Sequence, residues 1–359
     1  MRKNLIASAL AVALGGMSIA AHADVNTVVG GTMFVDFTNI DQTSKGKDTA
    51  AAGTGLDVKR FYLTVDHKFD DFWSANLTTD FNYQSTLSQT SLFVKKAYLQ
   101  AKWSSELAVR VGADDQPWIG FVDGLSGLRY VENSLVDRLS NYGNSADWGI
   151  HVLGNAEDNF WNYNFGVVNG GGFRNPTRSS TVDFEGRIGI QPIKGLMLAV
   201  GGYSGEFGKD VETNNQQTPV VHTRSYTRGD ALIAYNTSNL RVGAEYFTAH
   251  NNKNNISYTI TNAATGTRSS YKDKADGYSL WGWYSFMPNW AVIARYDNAK
   301  PLKDTDSSRE NEYGYAGVEW TPRKGIKIAG LWKHTTVQND LKSTNDKTDE
   351  IGVFAEVKF

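Results

Sequence analysis

The sequence predicts an all-β chain: a transmembrane antiparallel β-barrel of sixteen strands, with long outer loops and short periplasmic turns. Three observations predict it. Apolar and polar residues alternate over segments of about ten residues, the connections between those segments alternate between short and long, and the C-terminus ends on an alternating segment closed by an aromatic residue.

The N-terminus sets the compartment. Arg2 and Lys3 precede the apolar run from Leu5 to Leu14 and a small-residue stretch ending Ala21-His22-Ala23. This is the pattern of a secretory signal peptide over 1–23, cleaved before Asp24. The apolar run falls short of the ~20 residues that a helical span needs, and no comparable stretch follows. Two of the 36 basic residues lie in this leader, against 38 acidic residues overall. That slight acidic excess excludes the basic footprint of a nucleic-acid binder. The chain has no cysteine, which excludes a disulfide framework, thiol chemistry and cysteine-ligated metal. A mean hydropathy of −0.41 with 35 glycines and 12% aromatics suits strands that show one face to lipid and the other to water.

Successive side chains on a strand point to opposite faces. From Trp73 to Tyr83, residues Trp73, Ala75, Leu77, Thr79, Phe81 and Tyr83 share one face, and Ser74, Asn76, Thr78, Asp80 and Asn82 share the other. One side is apolar and one is wet. The same reading places strands at 25–37, 56–66, 73–83, 94–103, 107–113, 147–153, 160–169, 181–190, 196–203, 226–235, 240–249, 276–286, 290–297, 311–320, 326–334 and 349–359. After even-numbered strands come short links with turn chemistry, such as Met287-Pro-Asn289 and Thr321-Pro-Arg-Lys-Gly325. After odd-numbered strands come longer links rich in Asn, Ser, Thr, Asp, Lys and Gly. A soluble β-sandwich has no reason to sort its loops by parity. Trp73, Trp103, Trp161, Tyr235, Phe286, Trp290 and Trp320 fall at strand ends beside the short turns, where an interfacial aromatic girdle belongs. At the C-terminus Ile351, Val353, Ala355 and Val357 lead at every second position to Phe359, the pattern through which outer-membrane assembly machinery would recognise the chain.

The longest connection, Asp114 to Ala146, lies between strands five and six, the position from which an outer loop can fold inward and narrow the channel. Its charged residues, Asp114, Asp115, Asp123, Arg129, Glu132, Asp137 and Arg138, are the candidate constriction set. Pore-lining candidates are charges on the polar strand faces, since a charge on the lipid face costs ~2–4 kcal/mol at the midplane. They include Arg60, Asp80, Lys96, Lys102, Arg110, Arg187, Arg228, Arg241 and Arg295. Basic and acidic candidates on these faces nearly balance. Arginines on the wall opposite loop carboxylates would make a transverse field that orients polar solutes. No G-x-S-x-G, H-E-x-x-H or P-loop occurs and the six histidines are scattered singly, so neither an enzyme nor a bound cofactor or metal is expected.

From Arg60 to Asp71, then at Asp80-Phe81, Lys96-Ala-Tyr-Leu99, Val111-Gly112, Pro117 and Val136-Asp-Arg138, the chain resembles the phosphate-selective porin O and P family of Gram-negative bacteria. These patterns cover about a third of the chain. The resemblance implies a sixteen-stranded, trimeric porin in the outer-membrane lipid, passing small hydrophilic solutes or inorganic ions. It does not bring anion selectivity with it. Phosphate-binding members are similar in carrying a dense ladder of Lys and Arg, whereas this loop has Arg129 and Arg138 against five carboxylates. The alternative function is a structural or adhesive barrel that binds partners through its outer loops.

Overall fold

The computed structural model describes residues 26–84, 89–139, 142–176, 178–179, 181–208, 221–223, 225–251, 257–262, 267–269, 273–339 and 344–359. The predicted leader lies outside them. Sixteen long strands follow in order. The first eight are β1 (Thr27–Ser44), β2 (Gly53–Lys68), β3 (Trp73–Gln84), β4 (Gln89–Lys102), β5 (Ala108–Asp115), β6 (Ala146–Asn155), β7 (Trp161–Val168) and β8 (Asp183–Ile193). The second eight are β9 (Leu196–Gly205), β10 (Tyr226–Asn236), β11 (Leu240–His250), β12 (Lys274–Met287), β13 (Trp290–Lys300), β14 (Glu310–Arg323), β15 (Ile326–Asn339) and β16 (Thr344–Lys358). Each pairs antiparallel with its chain neighbours. β16 returns to β1, from Thr32 opposite Lys358 to Thr43 opposite Lys347, and the sheet closes into a barrel. A two-residue strand, Lys47–Asp48, extends β1, and Val221–Thr223, Ser257–Asn262 and Thr267–Ser269 form a small separate sheet.

Alternation runs through the wall as the sequence predicts. On β8, Asp183, Glu185 and Arg187 are buried inside while Phe184, Ile188 and Ile190 lie exposed outside. The outward set is the lipid face of such a barrel. Trp73, Trp103, Tyr235, Phe286, Trp290 and Trp320 stand on that outer surface beside the short turns, with Trp290 and Trp320 stacked at 5.9 Å. Phe359 closes the sheet by exchanging main-chain hydrogen bonds with Gly31, and its ring covers Gly31 so closely that a Cβ there would collide with it.

Two features differ from the sequence expectation. Several strands run beyond their predicted outer ends: β1 continues to Ser44, β4 begins at Gln89, β15 continues to Asn339 and β16 begins at Thr344. The links between β3 and β4 and between β15 and β16 shrink accordingly to 85–88 and 340–343, which lie outside the described residues. Beyond the outer apolar band both faces of a strand are polar, so the hydrophobic pattern stops while main-chain pairing goes on, as in Asp41 opposite Asp349. The second difference is a pair of β-bulges. Phe34 pairs with Arg60 and Val35 with Val58, leaving Lys59 unpaired on β2; Thr78 pairs with Lys96 and Thr79 with Val94, leaving Lys95 unpaired on β4. A bulge inserts one residue and re-aims its side chain.

The core sits inside the barrel. Between β5 and β6 the loop 116–145 carries helix α1 (Ile119–Ser126) and the single turn α2 (Leu135–Arg138). Trp118, Ile119, Val122, Leu128, Leu135 and Val136 from this loop are buried against Leu232, Ala234, Phe247, Trp281, Ile293 and Phe354 of the wall.

Candidate functional site

A loop that crosses a lumen carries main-chain carbonyls that need donors. Six cations of the wall supply them. Arg187 Nε donates to Pro117 O at 3.0 Å, Arg241 to Ser126 O at 3.0 Å and Lys327 to Gly127 O at 3.1 Å. Lys333 donates to Val131 O at 2.9 Å, Arg295 to Asn133 O at 2.6 Å and Arg228 to Tyr142 O at 2.5 Å. Two of these contacts, with Asn236 Nδ2 on Leu125 O, converge on the C-terminal end of α1, where unpaired carbonyls and the helix dipole both favour cations. Gly127 closes that helix in the left-handed region at φ 66°, and a Cβ there would strike the Arg241 guanidinium.

Side chains of the loop complete the latch. Trp118 Nε1 donates to Glu245 at 3.0 Å, Tyr130 OH to Glu319 at 2.7 Å and Arg138 Nε to Asp297 at 2.9 Å. All these wall partners lie on β8 to β15. The loop is therefore held against one half of the barrel, with buried pairs behind it: Arg228 bridges Glu185 and Asp230, and Arg295 chelates Asp297.

The other half of the wall faces space. A cavity of about 280 Å³ lies between the loop and β1 to β5, lined by Thr32, Tyr62, Thr64, Thr78, Lys95, Lys96, Asp115, Asp123 and Arg129 among others. Below it, on the same side, a cavity of about 600 Å³ opens at the end of the barrel that carries the short turns, lined by Asp66, Asp70, Asp71, Lys102 and Arg110. Every carboxylate predicted for the loop has a cation: Asp114 pairs with Arg110 at 2.8 Å, Asp115 with Lys96 at 2.9 Å and Asp137 with Arg129 at 2.6 Å. Asp123 lies 3.4 Å from Arg129, and Glu132 3.9 Å from Lys333. Burial raises the Asp123 carboxyl above its ordinary value, outweighing the pull of Arg129. Arg129 itself, despite the lowering that burial imposes, is held above the usual guanidinium value by Asp123 and Asp137.

No family model matches the chain, and no curated protein matches it in sequence. Solved structures do resemble it. An anion-selective porin from Comamonas acidovorans is 10% identical, with 93% of this chain and 99% of that one covered at a TM-score of 0.64. The outer membrane channel DcaP of Acinetobacter baumannii is 11% identical over 93% and 97% of the two chains, also at 0.64. The trimer form of OmpT, an outer membrane protein of Vibrio cholerae, is 14% identical over 93% and 99%, at 0.57. The fold is that of a porin-type barrel.

Within that barrel the predicted lining residues divide. Arg60, Asp80, Lys96, Lys102 and Arg110 point into the open half, with Arg60 3.7 Å from Asp80 and Arg110 stacked 4.6 Å over Tyr98. Arg187, Arg228, Arg241 and Arg295 also point inward, but the loop covers them and takes their hydrogen bonds. Alternation concealed this because it gives the face of a side chain and not what lies over it. Lys59 and Lys95 went unselected because strict alternation turns them outward; the bulges turn them in. The helical part of the loop had a signal of its own in the spacing of Ile119, Val122 and Leu125.

Proposed function

We propose that the chain is an outer-membrane porin through which small hydrophilic solutes and inorganic ions diffuse passively, with loop 116–145 as its constriction. The observation that carries this is the one-sided latch: the loop is fastened to β8 to β15 and leaves polar cavities along β1 to β5. A barrel used only as a scaffold for outer loops has no need of a charged, braced loop across its lumen. The passage is catalysis-free in this reading and needs no cofactor. Export with a cleaved leader, assembly through Phe359 and a homotrimeric state belong to the same proposal; a trimer form among the similar structures supports the last. From the resemblance to phosphate-selective porins this reading carries over the fold and passive transport, and leaves the solute open.

The test is reconstitution of the purified full chain in a planar bilayer in KCl. Stepwise conductance increments are expected. Folded, inserted protein that carries no current would overturn the porin assignment and favour the adhesive barrel.

A further inference from the structure

We propose that the charge selectivity of the pore is set by Lys95 and Arg174, a lysine displaced inward by a β-bulge and an arginine on the loop between β7 and β8. The inference rests on the porin reading above and names the specificity-determining residues of the same pore.

Among the described residues, the charges around the lumen are largely cancelled. The loop carboxylates each have a cation, and of the latch cations Arg187 and Arg241, which bond only neutral carbonyls or amides, are covered by the loop and do not face the open half. Lys102 has no ion pair, but it opens into the wide lower cavity beside Asp66, Asp70 and Asp71. Lys95 and Arg174 differ. Neither has a carboxylate oxygen within 4.0 Å among the described residues. Lys95 Nζ donates to Tyr62 OH at 3.2 Å and lies 4.7 Å from the centre of that ring and 5.9 Å from the Phe173 ring. The Arg174 guanidinium lies 4.2 Å over Phe93 and 5.5 Å from the same Phe173 ring, is exposed, and makes no hydrogen bond among the described residues.

An aromatic face holds a cation without cancelling its charge, whereas a carboxylate does cancel it. The shared ring of Phe173 therefore holds two positive charges at the lumen wall, Lys95 buried and Arg174 exposed, neither in a direct ion pair among the described residues. The position matters as much as the charge. The 280 Å³ cavity is lined by Lys95, Lys96 and Arg129 against Asp115 and Asp123, and of these three cations Lys95 alone has no carboxylate within 4.0 Å among the described residues. Phe93, under Arg174, lies on β4 two residues from Lys95 toward the β3–β4 link, which makes the pair a vertical step into the narrow zone. In confined space one fixed charge shifts the local concentrations of both ion signs. The free N–H donors of Arg174 match the oxyanion of a carboxylate or phosphate group.

The experiment is the zero-current potential under a KCl gradient for the native chain, Lys95→Gln, Arg174→Gln, the double variant and Lys95→Glu, with folding checked by heat-modifiable migration in gels. Native protein should favour chloride. Each neutralisation should lower the chloride-to-potassium permeability ratio roughly two- to fivefold, the double variant further, and Lys95→Glu should invert the preference. Channels that conduct but keep the native ratio in the double variant would overturn this proposal and leave the porin reading intact. Absence of conductance in the native protein would overturn both.

Discussion

The two halves of the barrel wall use the same residue types for opposite ends. Along β8 to β15, arginines and lysines are buried and spend their donors on the loop: Arg228 on Tyr142 O, Arg295 on Asn133 O, Lys333 on Val131 O. Along β1 to β5, Arg60, Lys95, Lys96 and Lys102 remain reachable from the cavities or the open lumen. The first half is a cradle for the loop and the second lines open space. A charged residue pointing into a barrel is thus not a pore charge until what lies above it is known.

Removing the loop should erase the difference, with the largest effect of any change. Deletion of 119–139 uncovers the cradle, and single-channel conductance should rise about twofold or more, since the cross-section open to ions widens; an unchanged conductance would mean the loop does not narrow the pore. Next in size is Arg228→Ala. It strands Glu185 and Asp230 in a site where the arginine side chain is 0% exposed, which should cost about 3–5 kcal/mol in reversible unfolding from lipid vesicles. Trp118→Phe removes the indole donor from buried Glu245 while keeping an aromatic ring, at a cost of about 1–3 kcal/mol and with noisier open-channel current as the loop loosens. On the open side, Lys96→Ala breaks a half-exposed pair with Asp115 and should cost no more than about 1 kcal/mol in the same unfolding assay. A cost equal to that of Arg228→Ala would show that the halves do not differ as described.

The strands were legible because lipid on one side and water on the other leave no choice of face. Trp73 to Tyr83 alternates over its length, and the pattern stops where the strands run on beyond the apolar band, as at Asp41 opposite Asp349. The candidate site was legible in part. The inward direction of Arg187, Arg228, Arg241 and Arg295 was readable, and so was the place of the long loop, although Asp114 and Asp115, read as loop residues, lie on β5 because main-chain pairing with β6 runs on past the apolar pattern. Their use as a clamp was not, because a main-chain carbonyl such as Ser126 O has no signature in sequence and any residue can present one. Lys59 and Lys95 were hidden for a different reason: a bulge is a register event between two strands, and neither strand records it alone.

By itself the sequence determined the barrel, its sixteen strands and the sorting of side chains between its faces, since these follow from a period of two and the cost of charge in hydrocarbon. Only the tertiary structure decided on which side the loop lies, which cations it covers and which two lysines the bulges turn inward. Those outcomes depend on pairing between residues far apart in the chain, such as Tyr130 with Glu319 and Arg138 with Asp297, and such pairings arise when the barrel closes.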